Sequence, residues 1–213
     1  MLRTALTRLP EKASSDRAVL DALLDGSRVG HVGLVADGHP VVLATAIARD
    51  GDRVLAHGST GSGWMRLLAA GAPASLAVTA LDGLVVARSA FESSMHYRSA
   101  VLFGTFGPVD DPAEKERVLD VITESLLPGR VAELRRPSPK ELAATLVLAL
   151  PISEWSLKVS AGWPEDPDED VGADAWAGVV PLNSVAGPAL EAPDLRPGIP
   201  VPSSVRRLSG DTG

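Results

Sequence analysis

Closely spaced apolar runs limit most strongly what this chain can fold into. Val29–Val35 and Val41–Ala48 are rich in Val, Leu and Ala, and only the segment Ala36–Pro40 separates them. A second turn signal, Arg49–Asp52, precedes a third run, Arg53–His57. Turn-separated runs at this spacing pair as antiparallel strands, since a parallel pair needs a long crossover between them. The spacing therefore predicts a meander or barrel rather than alternating βαβ units.

The dipeptide Asp82-Gly83 stands between two further apolar segments. Gly accepts a positive φ at no steric cost, so this pair is a strong tight-turn signal. It predicts a hairpin formed by Ala74–Leu81 and Leu84–Phe91, followed by a strand over Tyr97–Phe106.

A polar cluster interrupts this strand-rich stretch between Leu84–Ala87 and Ala100–Phe103. It contains the only Tyr of the chain and one of its four His. So many hydrogen-bonding groups beside strands indicate that a polar ligand is held there. The members of the cluster are Ser93, Ser94, His96, Tyr97, Arg98 and Ser99.

Three helices are predicted from their caps and periodicity. Asp16 is a good N-cap for a helix that ends near Gly26. Asp111 and Pro112 begin a second helix, and Ser138 begins a third within the run that continues as LAATLVLALPI. Periodicity does not decide where helix gives way to strand in that run. A last strand is predicted over Ser156–Ser160.

A loop of small residues, Gly58–Gly63, leads into a short amphipathic helix that Gly71 closes. Unpaired amides and hydroxyls at such a helix start favour an anion, and Arg66 adds a positive charge one turn later. The alternative is an ordinary solvated turn with an N-cap, because the loop matches neither the Walker motif nor the dinucleotide fingerprint.

Composition narrows the classes of function. The chain has 213 residues, with 45% hydrophobic and 22% charged residues, which indicates one globular domain with a tail or at most two small domains. The net charge of −7 argues against nucleic-acid and anionic-membrane partners, and the absence of cysteine excludes disulfides and thiolate ligands. No signal-peptide core or spanning apolar run is present, so a cytoplasmic location is expected.

The two ends of the chain differ from its centre in amino-acid composition. We expect a polar leader over residues 1–15, a domain over residues 16–182, and a tail over residues 183–213. Six prolines between Pro181 and Pro202 predict an extended tail with little regular structure. The acidic residues between positions 165 and 170 are expected to form a solvated loop.

The motifs together resemble one known superfamily. GHVGLVADGHPVVLATAIARDGDRVLAHGSTGSGWMRLL, LDGLVVARSAFESSMHYRSAVLFG, ELAATLVLALPI and WAGVVPL are similar to the pyridoxamine 5′-phosphate oxidase-like superfamily, in particular its flavin-nucleotide-binding, nitroimidazole-resistance (Nim) branch. The resemblance runs from about Asp16 to Leu182. It implies a mainly β fold with flanking helices, an antiparallel FMN-binding split β-barrel, and a homodimer with FMN at its interface.

The resemblance also implies roles for particular residues. One group lies along the isoalloxazine ring, a second holds the phosphate, a third supplies polar contacts across the dimer, and a Trp covers an apolar face. In that order the groups are Leu43, Ala44 and Thr45; His57, Ser59, Thr60 and Arg66; Tyr97, Arg98 and Ser99; and Trp176. No metal site is implied.

Three positions depart from the pattern of the superfamily. Gly63 stands where relatives carry a basic residue, and Glu92 and His96 differ from the usual His-His-Ser-Met-Asn-Tyr-Arg-Ser motif. Arg66 is therefore expected to be the main cation of the loop.

Several functions remain open at this point. The first is an FMN-dependent oxidoreductase that reduces a small aromatic or heteroaromatic acceptor. The second is a flavin carrier or sensor without turnover, and a third is a relative that prefers a deazaflavin or heme. The substrate-phosphate residues of true pyridoxamine-phosphate oxidation are not found.

Overall fold

The computed structural model describes residues 4–5 and 7–210. Residues 1–3 and 6 of the predicted leader and residues 211–213 of the predicted tail lie outside this range. The strands are β1 Ala13–Ser14, β2 Val29–Ala36, β3 His39–Asp50, β4 Arg53–Ser59, β5 Pro73–Val86, β6 Ser94–Thr105, β7 Gly107–Pro108, β8 Thr145–Pro151, β9 Glu154–Ser160 and β10 Gly178–Pro181. The α-helices are α1 Arg17–Gly26, α2 Gly63–Ala69, α3 Pro112–Leu126, α4 Pro139–Ala144, α5 Asp168–Val171 and α6 Ser203–Ser209.

All ten strands belong to one sheet in which every pair is antiparallel. Their order is β1-β9-β6-β5-β2-β3-β4-β8-β7, and β10 adds to β5. The long strand β3 pairs with β2 over His39–Ala46 and with β4 over Ile47–Asp50. This change of partner lets the sheet curl without closing, so the predicted split barrel is confirmed.

The first hairpin follows its turn residues. Asp37 and Gly38 both have positive φ, 50° and 78°, as a two-residue turn between β2 and β3 requires. The predicted helix starts also form: Asp16 accepts from the Ala18 amide at 2.8 Å, and Asp111 accepts from the Glu114 amide at 2.8 Å.

The hairpin predicted at Asp82-Gly83 is wrong. The chain passes through these residues as one strand, β5, and its register against β6 shifts between Leu81 and Gly83, where Asp82 forms a bulge. Gly83 serves a different purpose, because a Cβ there would lie 3.0 Å from the Val180 carbonyl oxygen of β10. The real hairpin joins β5 to β6 through residues 87–93, so much of the polar cluster lies on a strand.

Two apolar clusters support the sheet. The larger lies inside the curl and includes Leu20, Leu23 and Leu24 of α1, all at most 1% exposed. The smaller lies under α3 and includes Val118 and Ile122. We call the sheet surface that contacts the larger cluster the inner face and the opposite surface the outer face.

The terminal segments are more ordered than expected. Within the predicted leader, β1 pairs with β9. The tail lacks regular structure over residues 182–202, as its prolines predicted. It then forms the helix α6, which the proline content did not predict. The carboxylate of Glu133 accepts hydrogen bonds from the amide and hydroxyl of Ser204 and so caps this helix. No helix among the described residues is long and apolar enough to cross a membrane.

Candidate functional site

The predicted cofactor residues of β3 divide between the two faces of the sheet. Leu43 packs against the inner cluster, and Thr45 shares its face because side chains alternate along a strand. Ala44 therefore points to the outer face, directly opposite His31 of β2. Both Ala44 and His31 are exposed. The outer face beside β3 is thus open and lined by a small side chain and an imidazole.

His57 of β4 also lies on the outer face, opposite Val147 of β8 and beside the cluster under α3. Its buried Nδ1 has no hydrogen-bond partner in the part of the chain that the structure describes. Burial lowers the pKa of the imidazole, because desolvation disfavours the charged form. The ring is therefore neutral near pH 7 and keeps an unused polar atom.

The loop Ser59–Ser62 offers fewer free amides than its sequence indicates. Three of its amides already donate within the protein: Thr60 to the Ala144 carbonyl at 3.0 Å, Ser62 to the Ser59 carbonyl at 2.9 Å, and Gly61 to Ser59 Oγ at 3.1 Å. The helix that follows, α2, has only seven residues. An anion at this loop would depend on its exposed hydroxyls and on Arg66.

Arg66 is tied to the backbone of the same loop. Its Nη1 donates to the Thr60 carbonyl at 3.3 Å and to the Gly61 carbonyl at 3.1 Å. These bonds hold the guanidinium at the loop while the side chain remains exposed. Arg66 thus combines a positive charge with support of the loop's conformation.

Arg98 is already engaged by a carboxylate. Its Nε and Nη2 donate to the two Asp82 oxygens at 2.9 and 2.8 Å, in the parallel geometry that a guanidinium fork prefers. These hydrogen bonds lower the pKa of Asp82 and raise that of Arg98. The bulge in β5 therefore supplies the partner that occupies most of the fork.

Tyr97 and Ser99 lie on the outer face of β6. Leu81 lies opposite Tyr97, and the Ser99 hydroxyl is 3.1 Å from the Thr79 hydroxyl. Strands β5 and β2 separate β6 from β3, which places the two groups of predicted residues about 14 Å apart. One chain does not bring them together.

Trp176 lies just before β10 and is 66% exposed. Its ring packs against Gly178, where a Cβ would come within 2.8 Å of the ring atoms. The small glycine thus lets the indole lie close to the backbone of β10.

Sequence reasoning missed a buried ion pair at the edge of the polar cluster. Asp166, expected in a solvated loop, has a side chain only 1% exposed. It accepts from the Arg88 amide at 2.7 Å and from Arg88 Nη1 at 2.9 Å. No local signal separates Asp166 from its acidic neighbours, because its partner lies 78 residues away in the sequence.

Glu165, the neighbour of Asp166 in the chain, lines a cavity of about 350 Å³. His96 also lines it, with Nε2 2.6 Å from the Gly162 carbonyl oxygen. Two further lining residues contact each other, since Lys12 donates to Ser160 at 3.2 Å. The polar cluster and the segment after β9 therefore enclose a polar space together.

Comparison with known proteins now defines the class. The family model described as pyridoxamine 5′-phosphate oxidase matches residues 16–159, more than half of the chain. The chain therefore belongs to the pyridoxamine 5′-phosphate oxidase-like superfamily of split-barrel proteins. A comparison with curated proteins finds no significant match.

Two solved structures resemble the whole chain. An FAD and heme binding protein from Mycobacterium smegmatis is 55% identical, covers 92% of this chain and 97% of its own, and superposes with a TM-score of 0.89. The flavocytochrome Anf3 from Azotobacter vinelandii is 36% identical, with coverages of 97% and 96% and a TM-score of 0.90.

A third structure shares the fold alone. It is a putative 5-nitroimidazole antibiotic resistance protein from Bacteroides thetaiotaomicron, 18% identical, with coverages of 69% and 86% and a TM-score of 0.59.

Proposed function

We propose that this protein binds a flavin nucleotide at an interface between two copies of the chain and uses it to transfer electrons. The observation that carries the proposal is the 55% identity, over nearly the full length of both chains, to an FAD and heme binding protein. A bound flavin supplies the redox chemistry, while the protein contributes binding, orientation and polarity.

The arrangement of the polar residues supports a shared site. Ala44 of β3 and His57 of β4 face the same outer surface as Tyr97 and Ser99 of β6, but β5 and β2 separate β6 from β3 within one chain. A twofold axis passing near this surface would bring the β6 residues of one copy toward the β3 residues of the other. Arg66 would then hold the phosphate, and backbone groups of β3 would bind the ring.

FAD is the nucleotide that we favour. The sequence alone indicated FMN, because it has one loop suited to a terminal phosphate and no second Gly-rich turn. The relative that matches nearly the whole chain at 55% identity is described with FAD, so a Gly-rich turn is a poor criterion for this class. Titrations with FMN and FAD, followed by flavin fluorescence, test the choice; tighter binding of FMN would reverse it.

Turnover is tested separately from binding. The protein, loaded with flavin and reduced anaerobically by light, is mixed with small nitroaromatic or quinone acceptors. Reoxidation faster than that of free reduced flavin supports an oxidoreductase. Reoxidation at the rate of free flavin would favour a carrier or sensor.

Heme is a second candidate cofactor, and His57 is the observation that favours it. A histidine that serves as an axial ligand must present a neutral imidazole with a free nitrogen, and His57 is half-buried with a pKa that burial lowers. Its Nδ1 is unpaired within the described residues. His57 is therefore the candidate axial ligand for a heme beside β4.

Absorption spectra after reconstitution with hemin test this assignment. His57→Ala should lose the Soret shift that marks histidine ligation, and added imidazole should restore it. His39→Ala, at the β2–β3 turn, is the matched control. An unchanged spectrum of His57→Ala would exclude His57 as the ligand.

A further inference from the structure

An apolar patch on the outer face is left exposed by residues 4–5 and 7–210 of its own chain. Val180 of β10, Leu84 of β5 and Met95 of β6 lie side by side across three strands. Leu81 and Leu182 extend this row at the bulge. All five side chains are large, apolar and between 38% and 49% exposed. Contiguous patches of this kind mark interaction surfaces.

After Leu182 the chain continues through residues 183–200, a segment without regular secondary structure that we call the strap. Every residue of the strap is exposed. Val185 and Leu190 are 86% and 91% exposed. A cavity of about 420 Å³ separates the end of the strap from Arg130, so the strap does not pack closely on its own body.

Both ends of the strap are nevertheless fixed. At its start, the Leu182 amide donates to the Asp82 carbonyl at 3.0 Å. After its end, Glu133 caps α6, and Arg207 donates to the Pro128 carbonyl at 3.1 Å. A loop with fixed ends and several prolines has already lost part of the entropy that ordering would cost.

We propose that the strap of one copy covers the apolar patch of a second copy. The patch is apolar, and the strap carries the exposed apolar side chains of Val185, Leu190, Leu195 and Ile199. In a dimer with twofold symmetry, the strap of each copy covers the patch of the other, and the assembly is closed. Eighteen extended residues have a length of at most roughly 60 Å, so a loop with both ends held on its own chain reaches up to roughly 30 Å, enough to contact an adjoining copy.

The family model ends at residue 159, so the strap and β10 lie outside it. The inference rests on the proposed dimer and adds which segments hold it together. It also places Tyr97, opposite Leu81 of the patch, under the partner's strap.

Cysteine pairing tests the arrangement, because the natural chain contains no cysteine. Leu84→Cys is made in a tagged chain, and Leu190→Cys or Val185→Cys in an untagged chain, and the two chains are coexpressed. A disulfide forms only when the two Cα atoms come within about 7 Å. We expect a reducible covalent dimer, visible on a non-reducing gel, from at least one of the two pairs.

A matched control replaces the patch position by a distant exposed one. Asp37→Cys, at the β2–β3 turn, coexpressed with Leu190→Cys, reports random collision and should give at least tenfold less covalent dimer. A second measurement places Leu84→Cys and Leu190→Cys on one chain. If those two cysteines pair only within that chain, the strap covers its own patch and the proposal is overturned.

The outcomes distinguish this inference from the proposed function. A flavin-loaded dimer by sedimentation that gives no mixed disulfide overturns the strap assignment and leaves flavin binding intact. Mixed disulfides in a protein that binds no flavin support the strap and overturn the proposed function. A monomer without mixed disulfides overturns both.

Discussion

At the scale of single residues, hydrogen-bond partners decide which charged groups can serve a ligand. Two nitrogens of Arg98 donate hydrogen bonds to Asp82. Arg66 instead donates to two backbone carbonyls and remains exposed. The sequence had already distinguished the two arginines, with Arg66 expected in the phosphate loop and Arg98 in the polar contacts across the dimer. The structure makes Arg66 the better candidate for a flavin phosphate.

We predict that Arg66→Ala weakens flavin-nucleotide binding. Loss of a hydrogen bond to a charged group costs about 1.5–3 kcal/mol, which corresponds to roughly a ten- to hundredfold loss of affinity. Riboflavin lacks the phosphate, so its binding should hardly change. Arg66→Gln keeps an amide donor for the loop carbonyls but removes the charge, and it should weaken nucleotide binding to a similar extent. If the nucleotide-to-riboflavin affinity ratio stays unchanged, the loop is not the phosphate site.

The buried carboxylate of Asp166 leads to a prediction about stability. Asp166→Asn removes the charge that faces Arg88 while keeping nearly the same shape. The free energy of unfolding should fall by about 1.5–3 kcal/mol, the range for charge-assisted hydrogen bonds. Urea denaturation measures it, with Asp168→Asn as a control of identical chemistry on an exposed residue. Equal midpoints for the two variants would contradict the role of the ion pair.

At the scale of elements, the C-terminal helix shows how a distant residue creates local structure. Residues 203–209 have no N-cap side chain of their own, because Pro202 precedes them, and their helix begins where the Glu133 carboxylate accepts from Ser204. The Cβ-free Gly129 leaves room for Arg207, whose Nη2 lies 2.2 Å from where that Cβ would be. The bulge at Asp82 is similar, because its form depends on β10 arriving beside Gly83.

We predict that docking of this helix depends on pH. Hydrogen bonds from Ser204 lower the pKa of Glu133 from 4.5 to about 2. A lowered folded-state pKa stabilises docking above the unfolded value, so this contribution is lost as the pH falls from about 4.5 to about 2. The protection of the amides of residues 204–209 from exchange, relative to the intrinsic exchange rate at each pH, should fall in that window.

A variant checks the same contact at neutral pH. Glu133→Gln should increase tryptic cleavage at Arg206 and Arg207 severalfold. Glu165→Gln, an exposed residue, should leave it unchanged. Equal cleavage of both variants would show that Glu133 does not hold the helix.

At the scale of the whole molecule, the outer face carries the proposed flavin site, the proposed dimer interface and the apolar patch. Small side chains such as Ser75, Ala77 and Thr79 lie along β5, between the polar groups of β6 and those of β3. A surface of such small side chains allows close approach of a second sheet or a planar ring. The strap and the apolar patch lie at one end of it.

We predict a dimer of about twice 22.1 kDa by sedimentation equilibrium. Ala77→Glu places a charge in the centre of the outer face and should raise the dimer dissociation constant at least tenfold, since an unpaired buried charge is strongly unfavourable. Ala173→Glu makes the same change on an exposed loop and should have no effect. A wild-type monomer that still binds flavin tightly would contradict the shared site.

Much of the fold was determined by the sequence itself, because the deciding interactions are local. Asp37-Gly38 set the turn between β2 and β3, and Asp16 and Asp111 capped their helices as predicted. The order of several linked motifs indicated the superfamily. These features depend on residues within a few positions of one another, where propensity and periodicity are informative.

Only the tertiary structure decided the features that join distant segments. Asp82-Gly83 has the composition of a turn, yet β10, almost 100 residues later, pairs with this segment and keeps it extended. Asp166 is buried because Arg88 meets it, and α6 forms because Glu133 caps it. No window of sequence contains both partners of these contacts. Their energies arise when the curled sheet brings the segments together, so local patterns could not predict them.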